Sequence, residues 1–337
     1  MTTTTGMAMV SLRRSVWQAL IFAPLIAVLA PLGAALAQGS YPNKPVRVIV
    51  PFAAGGVADI TTRIVAEKLG GKLGQRFVVE NMPGAGGIAA ARAAISGGSD
   101  GYTVALLTNG TAISVPLFKS LPFDPLKDFT PISSVGYFDA LFITNAESPY
   151  RTLQDFIKVA REKPGTLNIG TINPGSTQNL TAELFKSTAA INFVIVPFRT
   201  TPEAVIALLR GDIQMVIDFY AALKPGLSDG KTRAIAWSGP KPSESLPNVP
   251  TVQQAGVSGF EVVSWNALYA PVGTSPTVID TLNRALRDVL ADPEVRKRAL
   301  DLGIDTKASS PSEIDARMKA DIEKWSRVIA RAGIQKQ

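Results

Sequence analysis

Hydrophobic and polar positions alternate along this chain in a way that predicts short strands and amphipathic helices. The strands are short runs rich in β-branched residues, and the helices have apolar residues three and four positions apart. The predicted strands are 46–50, 77–80, 103–107, 141–143, 167–170, 193–196, 213–217 and 233–237. The predicted helices include 153–161, 180–186, 203–210, 276–290, 293–302 and 311–332. This order is typical of an α/β fold with largely parallel sheets.

One strand–loop–helix unit near the start of the chain has the form of an anion-binding site. The apolar strand 46–50 is followed by the side-chain-poor loop 51–56, and apolar residues then recur at helical spacing from Ile60 to Leu69. Such a loop leaves the N–H groups of the first helical turn open to a ligand, at the positive end of the helix dipole. The alternative is a tight turn in which Gly55 and Gly56 only relieve steric crowding.

Three further loops share this design, at 81–87, 108–111 and 173–179. The last of them follows a predicted strand and opens a predicted helix in the other half of the chain. Its Ser, Thr and Asn side chains can cap that helix or present hydroxyl and amide groups to a ligand. Asn109 and Thr111 offer the same groups in the 108–111 loop. Two glycine-bearing helix openings, one from each half of the chain, predict a shared carboxylate-binding site. We call this site, formed by the loops at 51–56 and 173–179, the carboxylate cradle.

Composition argues against most enzyme classes, because the 337 residues include no His and no Cys. Cysteine nucleophiles, thiolate metal sites, disulfides and Ser-His-Asp triads are therefore excluded within one chain. The segment 84–89 fits G-x-G-x-x-A but follows the second strand, which argues against a dinucleotide site. Ser238 and Lys241 fit S-x-x-K, yet the intervening Gly-Pro does not hold a helix. We predict a non-enzyme without cofactor or metal.

The first 37 residues have the pattern of a signal peptide. Arg13 and Arg14 precede an apolar run at 19–30, and Ala35-Leu36-Ala37 supplies a small-x-small cleavage pattern. An uncleaved anchor and twin-arginine export are the alternatives to ordinary secretion. Removing residues 1–37 leaves 32 basic and 27 acidic residues. These charges are scattered rather than gathered in a stripe, so no nucleic-acid partner is predicted.

Several motifs resemble the Bug family, the periplasmic solute receptors associated with tripartite tricarboxylate transporters. The similar segments lie in order along about residues 41–334, at 41–47, 51–59, 83–87, 100–103, 121–125, 128–129, 164–168 and 246–252. The resemblance implies a two-domain periplasmic-binding-protein (flytrap) fold with two interdomain crossings, near 141–145 and 264–269. It also implies domain 1 at 38–142 and 265–337, domain 2 at 143–264, and a small carboxylic acid in the cleft.

The resemblance also carries the family's binding loops onto this chain. The ligand-binding candidates are Phe52, Ala53, Gly55, Gly56, Asp59, Asn109, Thr111, Gly175, Ser176, Thr177, Asn179, Arg199, Thr200 and Asp218. Departures from the family pattern are Val57 and Ala58 where Ser or Thr is common, and Asn179 where His is usual. Arg199 is a candidate clamp for a second carboxylate; the alternative is a solvated surface arginine.

Together these observations predict an exported, monomeric receptor that captures an organic acid and delivers it to membrane permease subunits. One alternative is a secreted enzyme that acts on a carboxylic acid without His or Cys. Another is a ligand-sensing subunit that reports its bound state to a signalling partner. Ligand turnover separates the first alternative from a receptor, and a neighbouring permease gene separates the second.

Overall fold

Nine strands organise the part of the chain that the computed structural model describes, residues 41–337. The predicted signal peptide and its cleavage after Ala37 lie outside these residues. The strands are β1 (Val46–Val50), β2 (Phe77–Asn81), β3 (Thr103–Thr108), β4 (Phe129–Asn145), β5 (Asn168–Ile172), β6 (Val194–Phe198), β7 (Met215–Phe219), β8 (Thr232–Trp237) and β9 (Val263–Pro271).

Ten helices lie between and after these strands in the same residues. They are α1 (Val57–Leu73), α2 (Ile88–Ser96), α3 (Asn109–Leu117), α4 (Leu153–Glu162), α5 (Thr177–Thr188), α6 (Thr201–Arg210), α7 (Tyr220–Ser228), α8 (Pro276–Ala291), α9 (Pro293–Leu300) and α10 (Pro311–Ala332). A short 3-10 turn, Ala85–Gly87, precedes α2. None of the helices described is long and apolar enough to cross a lipid bilayer.

The strands are joined in the order β2-β1-β3-β9-β4-β7-β5-β6, with β8 also paired to β4. The β1–β2, β1–β3, β5–β6 and β5–β7 pairs are parallel. The other four pairs described, which involve β4 or β9, are antiparallel. The prediction of largely parallel sheets is therefore wrong, because β4 and β9 run against their neighbours.

Strand β4 links the two groups of parallel strands. Residues 129–139 pair with β9, whereas Ala140 to Asn145 pair with β7 and β8. The predicted strand 141–143 is only the end of this element. The first part of β4 contains Pro131 and Gly136, residues that are typical of a loop. Its register against β9 also shifts at two points. The predicted 143 and 265 domain boundaries stay a prediction.

The helices begin where local capping chemistry favours them. Ser310 accepts a hydrogen bond from the Glu313 N–H, the Glu313 carboxylate accepts one from the Ser310 N–H, and Pro311 occupies the first turn of α10. Gly333 ends α10 in a left-handed conformation with φ 65°. Helix α10 lies against α3, α5 and β4, and Trp325 on its buried face is almost fully enclosed.

Candidate functional site

The loop after β1 is open to solvent and ends directly at the first turn of α1. Residues 52–56 are exposed, and Gly55 has φ +85°, a left-handed value that favours glycine. Gly56 is the N-cap, with φ −78° and ψ 167° and no side chain to cap the helix. The exposed backbone of this loop is therefore accessible to a ligand.

Asp59 supports this loop through hydrogen bonds to its side chain. Its carboxylate is buried and accepts hydrogen bonds from the Gly55 N–H (2.8 Å), Arg63 Nε (2.9 Å) and Asn81 Nδ2 (2.9 Å). Asn81 Nδ2 also donates to the Phe52 carbonyl at 2.9 Å. Burial alone would raise the pKa of Asp59, but the bonds from Arg63, Gly55 and Asn81 outweigh burial and lower this pKa.

The loop after β5 repeats this arrangement in the second half of the chain. Gly175 has φ +78°, and its N–H donates to Asn179 Oδ1 at 3.1 Å, four residues ahead, as Gly55 donates to Asp59. Asn179 Nδ2 donates to Thr171 Oγ1 at 3.3 Å. Ser176 Oγ accepts from the Asn179 N–H at 3.1 Å. In both loops, therefore, a glycine precedes a helix, and its N–H donates a hydrogen bond to the side chain of the third residue of that helix.

Main-chain donors at both helix starts have no partner among the described residues. The N–H groups of Val57 and Ala58 in α1, and of Thr177 and Gln178 in α5, donate no hydrogen bond to any described residue. Unpaired N–H groups at the positive end of a helix favour an anion. Each of the two helices therefore presents two N–H groups suited to a carboxylate.

Asn109 joins the two halves of the chain beside the start of α5. It is fully buried at the start of α3, and its Nδ2 donates to Thr177 Oγ1 at 3.0 Å. Trp325 Nε1 donates to Asn109 Oδ1 at 2.9 Å. Leu117, at the other end of α3, lies so close to Gly175 that a side chain at position 175 would overlap it. Asn109 therefore fixes α3 against the start of α5 rather than facing solvent.

Asp218 connects the starts of two helices from the end of β7. Its buried carboxylate accepts hydrogen bonds from Gln178 Nε2 of α5 (2.8 Å), Thr201 Oγ1 of α6 (2.5 Å) and the Phe219 N–H (2.7 Å). Burial raises the pKa of Asp218, and these three donors oppose the rise. This side chain supports the loops that precede α5 and α6.

An apolar cluster brings the start of α1 beside the end of β7. Val57 and Phe219 both pack against a cluster that includes Phe138 and Ile304. The rings of Phe138 and Phe219 are 4.8 Å apart and nearly perpendicular. Val57 opens α1, and Phe219 directly follows Asp218, which bonds Gln178 of α5. This apolar cluster therefore links the start of α1 to the residues that support the start of α5.

The remaining predicted site residues divide into exposed and buried positions. Phe52 is 41% exposed, and Ala53 is also exposed. Thr111 is buried, and its hydroxyl accepts from the Thr108 N–H at 3.1 Å as part of a capping box. Arg199 and Thr200 are exposed before α6. No carboxylate of the described residues lies within ion-pair distance of Arg199.

Sequence reasoning missed several side chains that support this site. Asn81 and Thr201 hold loop residues from neighbouring elements, and Trp325 bonds Asn109 from 216 positions further along the chain. The i to i+4 spacing of Gly55–Asp59 and Gly175–Asn179 is visible in the sequence and could have indicated the loop-holding role. The partnership with Trp325 depends on tertiary packing and has no local signal.

The family model of the tripartite tricarboxylate transporter family receptor matches residues 61–334. The chain belongs to this receptor family. BugT of Bordetella pertussis is 31% identical over 308 residues, which cover 90% of this chain and 94% of BugT. The predicted resemblance to the Bug family is thereby confirmed.

Solved structures of the same type share the fold. Rpa4515 of R. palustris with adipate is 31% identical, with a TM-score of 0.77 over 87% of this chain and 98% of that one. MatC of Rhodopseudomonas palustris with bound malate is also 31% identical, with a TM-score of 0.72 over 86% of this chain and 100% of that one. The predicted two-domain flytrap fold is confirmed, and the chain is a solute receptor. The matched proteins are receptors and binding proteins, which fits a non-enzyme.

Proposed function

We propose that this receptor captures a small dicarboxylic acid in the periplasm and delivers it to permease subunits of a tripartite transporter. The proposal rests on the matched pair of helix openings, α1 and α5, each of which presents unpaired N–H groups, together with the apolar cluster beside Val57 at the start of α1. A carboxylate would accept hydrogen bonds from these main-chain donors, directly or through a bridging water. The adipate and malate complexes of Rpa4515 and MatC support this ligand class.

Val57 and Phe219 favour an apolar middle in the ligand. The family commonly has a hydroxyl residue after the double glycine, whereas Val57 presents methyl groups that pack against the apolar cluster of Phe138 and Ile304. A ligand hydroxyl against this wall would lose its hydrogen bonds to water without replacement. A chain of methylene groups would instead gain from burial, by about 0.8 kcal/mol per group. Adipate should therefore bind more tightly than malate.

Arg199 supplies the charge for a second carboxylate. It is exposed, and it lies one residue before the N-cap of α6, whose first residue, Thr201, is bonded to Asp218. A guanidinium can bind a carboxylate through two parallel hydrogen bonds. Domain closure on the ligand would bring this side chain to the distal carboxylate. The receptor would act as a monomer.

A thermal-shift screen tests this proposal. Adipate, malate, and the monocarboxylate hexanoate, which has the same chain length as adipate, are titrated into the purified protein. A ligand at one hundred times its dissociation constant stabilises the folded state by about 2.7 kcal/mol. We expect stabilisation in the order adipate, malate, hexanoate. Stabilisation by none of a broader panel of mono- and dicarboxylic acids would contradict a carboxylate receptor.

Ligand recovery separates a receptor from an enzyme. After incubation of the protein with adipate at equimolar concentration, the bound and free fractions are analysed by mass spectrometry. A receptor returns adipate unchanged, whereas product formation would favour the enzyme hypothesis. Uptake of the ligand by cells that carry the receptor with and without its permease tests delivery.

A further inference from the structure

The two chain segments that cross between the halves are joined by Ser238. The Ala140 N–H donates to Ser238 Oγ at 2.8 Å, and this hydroxyl donates to the Val262 carbonyl at 2.6 Å. The Ser238 main chain bonds both segments as well, donating to the Ala140 carbonyl (2.9 Å) and accepting from the Val262 N–H (2.8 Å). Ser238 is fully buried, so these four hydrogen bonds fix the segments at Ala140 and Val262 to each other.

Asp139 lies at this junction, where β4 changes its pairing partners. It is the last residue of β4 that pairs with β9, before Ala140 begins the pairing with β7 and β8. Its carboxylate lies directly against Gly239, where any side chain would overlap it. Among the described residues, none forms a hydrogen bond or an ion pair with this partly buried carboxylate. Asp139 differs in this respect from Asp218, whose carboxylate accepts three hydrogen bonds.

A cavity of about 440 Å³ adjoins Asp139 on one side of the crossing. Segment 240–244 lines the cavity from one side, and α9 with residues 303–306 lines it from the other. No residue of α1 or α5 lines the cavity, although Phe138 and Ile304 line it and also belong to the apolar cluster against which Val57 packs. Because its walls come from both sides of the crossing, rotation at the junction changes the access of water to Asp139.

The charged groups that face Asp139 are of both signs. Burial is the largest cause that raises the pKa of Asp139, and the negative charges of Glu261 and Asp305 raise it further. The positive charges of Arg317 and Lys241 lower it. Together these effects raise the pKa of Asp139 to about 7. Glu261 precedes β9, Asp305 follows α9, Arg317 lies on α10 and Lys241 follows β8. The four charged groups that influence this carboxylate therefore come from four different segments of the chain.

We propose that Asp139 is a proton-controlled hinge: its neutral form favours the packed junction seen here, and its ionised form favours a more open arrangement of the two halves. A carboxylate without hydrogen-bond donors loses much more hydration free energy when charged than when neutral. Opening the junction lets water enter beside Gly239 and solvate the charge. Raising the pH through 7 therefore shifts the equilibrium toward the open form, with or without a transported ligand.

Small-angle scattering of the ligand-free protein at pH 5.5 and pH 8.5 tests the hinge. A compact protein of about 300 residues has a radius of gyration of about 19 Å. We expect the wild-type radius to increase between the two pH values. Asp139→Asn, which keeps the shape and removes the titration, should keep the smaller radius at both. An unchanged wild-type radius, or an equal increase in Asp139→Asn, would overturn the proposal.

Asp305→Asn provides a second variant that leaves the hinge carboxylate in place. Removing the negative charge of Asp305 lowers the pKa of Asp139, so the expansion should occur at a lower pH rather than disappear. The ¹³C shift of the Asp139 carboxyl carbon against pH follows the same titration directly. A transition at the wild-type pH in Asp305→Asn would count against Asp139 as the controlling group. Neither experiment uses a ligand, so their outcome is independent of the proposed function.

Discussion

Replacing Asp59 by Asn tests whether this residue supports the first loop from behind or contacts the ligand. The carboxylate is 2% exposed and accepts hydrogen bonds from Gly55, Arg63 and Asn81. An amide has one oxygen where the carboxylate has two, so its NH₂ group must face either the Gly55 N–H or the pair of donors from Arg63 and Asn81. At least one hydrogen bond to a charged group is lost or weakened.

The expected cost follows from the kind of bond that is lost. Hydrogen bonds to charged groups contribute about 1.5–3 kcal/mol each, and a buried donor left unpaired adds a penalty of similar size. Arg63 is half exposed on its side chain and can turn to water, which limits the penalty. We expect Asp59→Asn to lower the free energy of unfolding by about 2–3 kcal/mol in the absence of ligand.

Urea denaturation at pH 7, followed by tryptophan fluorescence, measures this change. The matched control is Asp155→Asn, because Asp155 also occupies the third position of a helix and accepts main-chain N–H groups, at 2.8 and 3.0 Å, but in a partly exposed cap. We expect the control to lose about 1 kcal/mol or less. A loss below about 0.5 kcal/mol for Asp59→Asn would refute the supporting role assigned from the structure.

The pH dependence of this stability has a definite sign. Asp59 has a lower pKa in the folded protein than in the unfolded chain, so the folded state binds fewer protons. Its contribution is therefore fully present above the unfolded value of about 3.9 and is lost as the pH falls through the folded pKa. The stability difference between wild type and Asp59→Asn should shrink below about pH 4.

The remaining predictions concern the cradle, the second carboxylate and the contact between the halves. Gly56→Val should abolish binding of adipate in calorimetry and leave the circular dichroism spectrum unchanged, because Gly56 has a φ that any residue adopts and its Cβ position meets no protein atom closer than 3.8 Å; full binding by the folded variant would exclude the cradle. Arg199→Lys should weaken adipate several-fold and leave hexanoate nearly unchanged, because an ammonium cannot reproduce the two parallel bonds of a guanidinium; equal losses for both acids would mean that Arg199 does not bind a second carboxylate. Asn109→Leu should lower the free energy of unfolding by about 2–4 kcal/mol, because it leaves the buried N–H of Trp325 unpaired; a change within 0.5 kcal/mol would show that this contact does not hold α3 to α10.

Local sequence was sufficient to predict elements whose boundaries are set by local chemistry. Helix α10 begins at Pro311 and ends at Ala332 as predicted, because Ser310, Glu313 and Gly333 cap it. Strand β1 and its glycine loop were also predicted from local sequence, because a β-branched run is followed by residues with small side chains that leave the backbone accessible. The glycine-bearing helix openings of both loops were likewise visible in the residues, and anion binding there stays a prediction.

Elements that depend on distant partners could not be predicted in this way. The first part of β4 contains Pro131, Ser133 and Gly136 and becomes a strand through its pairing with β9, more than 120 residues away. Helix α7 contains Pro225 and was not predicted either. Four buried polar residues were predicted as ligand contacts: Asp59 and Asn179 from the family resemblance, Asn109 from its loop and Asp218 from the end of its predicted strand. The structure adds that their side chains bond protein groups, and their contact with ligand stays a prediction.

A crystal structure of the receptor with adipate tests the central claim most directly. We expect one adipate carboxylate at the starts of α1 and α5, within 2.7–3.2 Å of main-chain N–H groups or of a water bonded to them. The methylene chain should lie against Val57 and Phe219, with the second carboxylate at Arg199. Adipate bound away from both helix starts, for example in the cavity beside Asp139, would contradict the account.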